Sequence, residues 1–148
     1  MSDLKEMPFS DEAEAGVLGS ILLDSNKLYG IDIKPDHFYK LRHQKLFTYL
    51  RDFVLEHNHS DPLMLVEYLK TEGALESIGG VDYLLKLQDS AIIASHSQWY
   101  ADIVKEKFII RKKIKCGKKY LKDLYDGNDN TDDLIAELLG DPLEEKNS

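Results

Sequence analysis

The sequence predicts an all-α protein, and three observations carry that prediction. Apolar residues recur at spacings of three and four over most of the chain, the signature of helices with one buried face. The breaks between these stretches hold helix starts and stops: Ser10, Asp61-Pro62, Gly73, Gly79-Gly80 and Gly127. No stretch alternates apolar and polar residues for long enough to make a half-buried strand. With 148 residues, the chain is one domain's worth of sequence. A chain of about that length buries roughly 68–70% of its unfolded surface.

The elements follow in order. Ser10 is an N-cap, with Asp11 and Glu12 in the first turn where the helix dipole favours acids. Ala13, Val17, Leu18, Ile21 and Leu22 form the apolar face, and Asp24-Ser25-Asn26 ends the helix. Residues 25–39 read as irregular, with turns around Lys34-Pro35-Asp36. Leu46, Leu50, Phe53, Val54 and His57 mark a second helix over Leu41–Asn58. Asp61-Pro62 restarts the chain as N-cap and first helical residue. Leu65, Val66 and Leu69 give this third helix its face, and Gly73 stops it. Gly79-Gly80 supplies a positive-φ turn before a fourth helix carrying Val81, Leu84, Leu85 and Leu87. Ser95-His96-Ser97-Gln98 reads as a capping box opening a long helix over His96–Asp126. Asn128-Asp129-Asn130 is a turn, with Asn130 or Thr131 capping a last short helix, Thr131–Leu139, which Gly140-Asp141-Pro142 ends. Phe38 and Tyr39 are expected in the core and at its edge, His43 as a packing histidine, and Trp99 and Tyr100 as pins for the long helix.

The long helix has two faces. Ile110, Ile114, Gly117, Leu121 and Leu124 are spaced 4, 3, 4, 3, a heptad seam suited to packing along another helix. At 100° per residue, Lys105, Lys112, Lys115, Lys119 and Lys122 fall on a different arc. Leu134, Ile135, Leu138 and Leu139 would cover part of the seam in a helical hairpin. The short second arm leaves the rest for another copy. The expected organisation is a flexible tail at 1–9, a globule at 10–94, a hairpin at 95–139 and a linker or tail at 140–148.

Charge is segregated more than the net value of −8 suggests. Residues 105–122 hold 9 Lys/Arg against Glu106 alone, and the segments on either side are each net acidic by 8. An acidic chain is repelled by phosphate backbones. Lysines on a helix back usually form a solvated face. Weak or no direct nucleic-acid binding is therefore expected, no tighter than about 10⁻⁴–10⁻⁶ M at physiological salt. Mean hydropathy is −0.38, and no apolar run approaches the length of a membrane helix. The polar N-terminus resembles neither a secretion signal nor a transit peptide, and the single Cys forms no intrachain disulfide, so a cytoplasmic protein is expected.

Motifs for chemistry are missing from the sequence. There is no G-x-x-x-x-G-K-[ST] phosphate loop, no nucleophile elbow and no H-E-x-x-H. Cys116-Gly117-Lys118-Lys119 lies within a helix, and Cys116 reads as a thiol on a helix flank. His57 and His59 lack further ligands at zinc spacing. Asp126, Asn128, Asn130, Asp132 and Glu137 fall in a calcium-loop register, but Thr131 stands where the loop needs Gly. No catalytic residue, metal site or cofactor is expected in this chain.

Several segments, taken together, resemble a known family. Pro8-x-Ser10-x-Glu12-Ala13-Glu14 and Val17-Leu18-Gly19-x-Ile21-Leu22-Leu23-Asp24 are similar to the opening of DnaB-type replicative DNA helicases. The likeness continues through Phe38-Tyr39, His43, Leu46-Phe47 and Asp61, then Leu75-Glu76-x-x-Gly79-Gly80-x-x-Tyr83-Leu84 and Tyr100-Ala101-x-Ile103-Val104-x-Glu106-Lys107. Order and spacing hold from Pro8 to Arg111. The resemblance implies an N-terminal assembly domain, a helical globule with a hairpin, that pairs into dimers and a hexamer collar and binds the C-terminal domain of primase. A helicase loader is a further implied partner. ATP and Mg would belong to a motor domain that is not in this chain. By matched position, Tyr83, Ile114 and Tyr120 are the primase-binding candidates, and Ile110, Ile114, Gly117, Leu121 and Leu124 the oligomer interface. His96 and Pro62-Leu63-Met64 depart from the usual pattern, as does the short second arm, which fits a divergent or phage member. Two other readings remain: a free-standing helicase regulator of the same fold, and a nucleic-acid-binding helical module using Lys105–Lys122.

Overall fold

The computed structural model describes residues 7–91, 96–128 and 132–140. Among these it holds six α-helices and no strand: α1 (Asp11–Leu23), α2 (Leu41–His57), α3 (Pro62–Thr71), α4 (Gly80–Ser90), α5 (Ser97–Tyr125) and α6 (Asp132–Leu139). Short 3₁₀ turns at Ser25–Leu28, Pro35–His37 and Glu76–Ile78 fill the connections. The chain forms two compact units, Phe9–Lys105 and a second made of Glu106–Ser148 with Met1–Pro8. The division falls inside α5. The expected boundary at 94/95 lies in a segment outside the described residues, as do the turn at 129–131, its capping residues Asn130 and Thr131, most of the N-terminal tail and the tail after Gly140.

In the first unit the helix signals act as read. The Ser10 hydroxyl accepts from Ala13 N at 3.0 Å. Asp61 accepts from Leu63 N and Met64 N at 3.0 and 3.2 Å, with Pro62 as the first helical residue. Asn58 closes α2 in the left-handed conformation, at φ 61°. Gly79 and Gly80, at φ +111° and +77°, turn the chain into α4. The core gathers Val17, Leu18 and Ile21 of α1, Phe38, then Leu46, Phe47, Leu50 and Phe53 of α2, with Leu65, Leu69, Ile78, Leu87, Ala101 and Val104.

Four details differ from the sequence reading. First, α1 is buried on nearly all sides, including Glu14, Gly16, Gly19 and Ser20, and not on one face alone. Small residues allow this. A Cβ on Gly19 would lie 2.1 Å from the Leu87 carbonyl oxygen, and one on Gly16 would lie 2.6 Å from the Tyr100 ring. Second, Val81 and Leu85 of α4 are exposed, and only Leu84 and Leu87 point inward. Third, Tyr100 packs against the core as expected, but Trp99 is 61% exposed. Trp99 lies 100° around α5 from Tyr100, and here that turn carries it away from the core. Fourth, Gln98 Nε2 donates forward to Asp102 Oδ1 at 2.9 Å, while Ser95, the cap of the expected capping box, lies outside the described residues.

Two polar groups are buried with their partners. Ser60 Oγ lies 3.0 and 3.1 Å from the carbonyl oxygens of Ile21 and Leu22, satisfying the end of α1. His37 Nδ1 accepts from Lys34 N at 3.0 Å, and burial pushes its pKa below the usual histidine value.

The Gly19 approach gives a stability prediction. Ordinarily Gly→Ala inside a helix gains about 0.5–1 kcal/mol. At Gly19 the added methyl meets backbone, so Gly19→Ala should destabilise by about 1–3 kcal/mol. Urea unfolding checks this, and an unchanged midpoint would contradict the close α1–α4 packing.

Candidate functional site

No described group of three His, Cys, Asp or Glu side chains could hold a metal ion. His57 and His59 sit with ring centroids 5.7 Å apart against Phe53, and His59 Nδ1 accepts from Asp61 N at 3.0 Å. Of the calcium-loop register, Asp126 pairs with Lys122 at 2.8 Å and Asp132 begins α6, while Asn130 lies outside the described residues. The polar arrangement that leads from the core to the surface is elsewhere, at the start of α2.

A helix start leaves backbone N–H groups without partners. Lys40, the N-cap of α2, supplies no side-chain acceptor. Glu14 of α1 supplies one instead. Its Oε2 accepts from Tyr39 N at 2.6 Å and its Oε1 from Lys40 N at 3.4 Å. A carboxylate at a helix N-terminus is further stabilised by the helix dipole. Glu14 Oε1 also meets His43 Nδ1 at 2.7 Å, with both side chains almost fully buried. On the other side of the imidazole, His43 Nε2 lies 2.5 Å from the Tyr83 hydroxyl. In the neutral tautomer that fits these contacts, Tyr83 donates to Nε2 and Nδ1–H donates to Glu14. Burial pushes the Tyr83 phenol above the usual tyrosine range, with Arg42 acting against that shift, so the donating form is kept.

The chain of contacts ends at the surface. The Arg42 guanidinium lies over the Tyr83 ring, 4.2 Å from its centroid. Gly79 allows the ring to lie close to the turn: a Cβ there would be 2.6 Å from the Tyr83 Cβ. Beside this pair, Lys40 Nζ meets Asp11 Oδ1 at 2.8 Å, and that contact holds the Asp11 carboxyl below the usual carboxylate range.

The second unit carries the seam. Ile110, Ile114, Gly117 and Tyr120 are half-buried, whereas Leu121 and Leu124 are 54% and 43% exposed. Nothing lies within 4 Å of a Cβ added at Gly117. On α6, Ile135 and Leu139 are also exposed. The side chains of Leu134 and Leu138 are outside the described residues. Of the basic segment, Arg111 is buried and donates to the Pro8 carbonyl at 3.0 Å, so it leaves the charged surface. Lys113, Lys115, Lys118 and Lys119 are exposed, and Cys116 is buried.

The family model for the DnaB-like helicase N-terminal domain matches residues 6–106. The chain belongs to the DnaB-like helicase N-terminal domain family. It is 34% identical over 132 residues to the replicative DNA helicase DnaB of Geobacillus stearothermophilus, covering 88% of this chain and 29% of that protein. Over 132 residues it is 32% identical to the replicative DNA helicase DnaC of Bacillus subtilis (strain 168), covering the same shares. The chain thus spans about 29% of the length of these relatives. Among solved structures, it is similar to the N-terminal domain of DnaB helicase from Mycobacterium tuberculosis, with a TM-score of 0.81 and 27% identity, covering 91% of this chain and 100% of that one. A DnaB-like replicative helicase, whose interactions with primase were also studied, shares the fold at a TM-score of 0.74 and 21% identity over 90% of this chain and 32% of that one.

Within this DnaB-like domain, the sequence-predicted site residues divide between the units. Tyr83 is in the first; Ile110, Ile114, Gly117, Tyr120, Leu121 and Leu124 are in the second, on α5. Sequence reasoning missed Glu14 and Arg42 as parts of the Tyr83 site. An acid in a first turn and an Arg next to a His are both ordinary surface patterns. No spacing along the chain links Glu14 to residues 25 or more positions away.

Removing the Glu14 carboxylate should therefore be costly. Glu14→Ala leaves a buried imidazole and two N–H groups without their partner, and about 3–5 kcal/mol should be lost. Urea unfolding measures it; a loss below about 1 kcal/mol would show that Glu14 contributes packing alone.

Proposed function

We propose that this chain is the N-terminal assembly and primase-docking domain of a replicative DNA helicase, acting in the cytoplasm. The observation that carries the reading is the heptad-spaced seam of α5, whose last two residues, Leu121 and Leu124, are exposed. Tyr125 of α5 and Ile135 and Leu139 of α6 are exposed as well. A heptad-spaced seam is satisfied by another helix of the same kind. In this reading copies pair through α5 and α6 and build toward a ring collar in the full-length protein. Primase docks through Tyr83, with Ile114 and Tyr120 as further contacts, and a helicase loader is an additional partner. ATP and Mg belong to a motor domain outside this chain. DNA contact by the isolated domain is weak, since the lysines of α5 belong to a chain that is acidic overall. The primase partner is also suggested by a fold neighbour, a DnaB-like replicative helicase studied with its interactions with primase.

Self-association is tested by sedimentation across micromolar concentrations. The wild-type chain should dimerise, and Leu121→Asp should shift it to monomer. A strict monomer at every concentration, unaltered by Leu121→Asp, contradicts the reading. Docking is tested by titrating the C-terminal domain of the primase from the same genome into Tyr83→Ala and Ile114→Ala variants. A hot spot is worth about 2 kcal/mol or more on truncation, roughly a 30-fold loss of affinity. Unchanged affinity in both would remove this site.

A further inference from the structure

Arg42 is the outer end of a four-residue series that starts in the core. Backbone N–H groups fix Glu14, Glu14 fixes His43, His43 fixes the Tyr83 hydroxyl, and the Tyr83 ring carries the Arg42 guanidinium. Among the described residues, that guanidinium has no carboxylate partner within ion-pair distance, since Asp11 is engaged by Lys40. An exposed Arg resting over an aromatic ring has lost part of its side-chain freedom before binding. Its fork of N–H donors matches the two oxygens of a carboxylate. Beside it runs an open groove of about 610 Å³ lined by Tyr39, Lys40, Leu41, Arg42, Glu76 and Gly79. Leu41 and the Tyr39 ring, which stacks on Phe9, bring partly exposed apolar surface to it. Glu76, also without an ion pair among the described residues, adds an acid to the lining.

We propose that this groove receives a segment of the docking partner, with a carboxylate seated on Arg42, an apolar side chain against Tyr39 and Leu41, and a basic group toward Glu76. The inference rests on the reading that Tyr83 marks the primase-docking face, and it names the chemistry of that contact. The charges set the partner. The chain carries 27 acids against 19 bases, so a broadly acidic surface would be repelled. A single carboxylate on Arg42, balanced by a base toward Glu76, matches the groove. Glu14 and His43 are positioning residues in this arrangement: they touch no partner, but they fix the ring on which Arg42 lies.

The experiment titrates the C-terminal domain of the primase from the same genome into the full chain and four variants. Arg42→Ala should weaken binding about tenfold and flatten its dependence on salt, because the lost contact is charge-assisted. Arg42→Lys should recover only a small part of that loss, since an ammonium keeps the charge but not the fork. Tyr83→Phe keeps the ring and removes the hydroxyl held by His43; it should weaken binding about threefold with helix content unchanged by circular dichroism. Tyr83→Ala is the reference. If Tyr83→Ala weakens binding while Arg42→Ala does not, the Arg42 anchor is wrong and the docking reading stands. If Arg42→Lys binds as tightly as the wild type, the fork geometry plays no part and the proposal is overturned. Should Tyr83→Ala bind normally, both this inference and the Tyr83 docking face fall.

Discussion

The first unit depends on one carboxylate taken out of water. Glu14 is almost fully buried, which is unfavourable for an ionised group unless hydrogen bonds replace its hydration. Two backbone N–H groups ahead of α2 and one imidazole nitrogen do so. The same contacts fix where α2 begins relative to α1, because a helix N-terminus and its acceptor must lie within hydrogen-bond distance. Packing around this point follows. Gly16 and Gly19 let Tyr100 and α4 approach α1, and Ser60 closes the far end of α1 through the Ile21 and Leu22 carbonyls.

The constraint also connects stability to the surface. A buried charge that loses its partner is more costly than an exposed one. The series from Glu14 to Arg42 is therefore held in place by the same energy that orders the helix start. Surface groups placed this way have little freedom left to lose on binding, which is the physical basis of preorganisation. The exposed Lys40–Asp11 pair adjoining it is worth much less, since solvent screens it.

The second unit works on different physics. Along α5, apolar and basic residues occupy separate arcs because the spacings of 3 and 4 and the lysine spacings fall at different angles on a 3.6-residue turn. Arg111 leaves the basic arc by being buried, and Lys122 is paired with Asp126 on the next turn. The apolar arc keeps Leu121 and Leu124 exposed. A helix with that division of faces is suited to an apolar partner along one side and solvent along the other.

The sequence alone determined the helices. Caps at Ser10 and Asp61-Pro62, the Gly79-Gly80 turn and the stop at Gly127 are local signals, read from residues within one turn of each other, and the helices begin and end within a residue or two of them. The ordered likeness to DnaB-type helicases was also legible, because it rests on residue types at fixed spacing. The tertiary structure alone decided what surrounds each face. Periodicity showed α1 as one-sided, yet its glycines let neighbours close on it from nearly every direction. It also assigned Val81, Leu85 and Trp99 inward, where the packing left them exposed. Most of all, the Glu14, His43 and Tyr83 contact spans 29 and 40 positions of sequence. A hydrogen bond depends on distance in space to within a few tenths of an ångström, and helix periodicity carries no information about which helices meet or at what height.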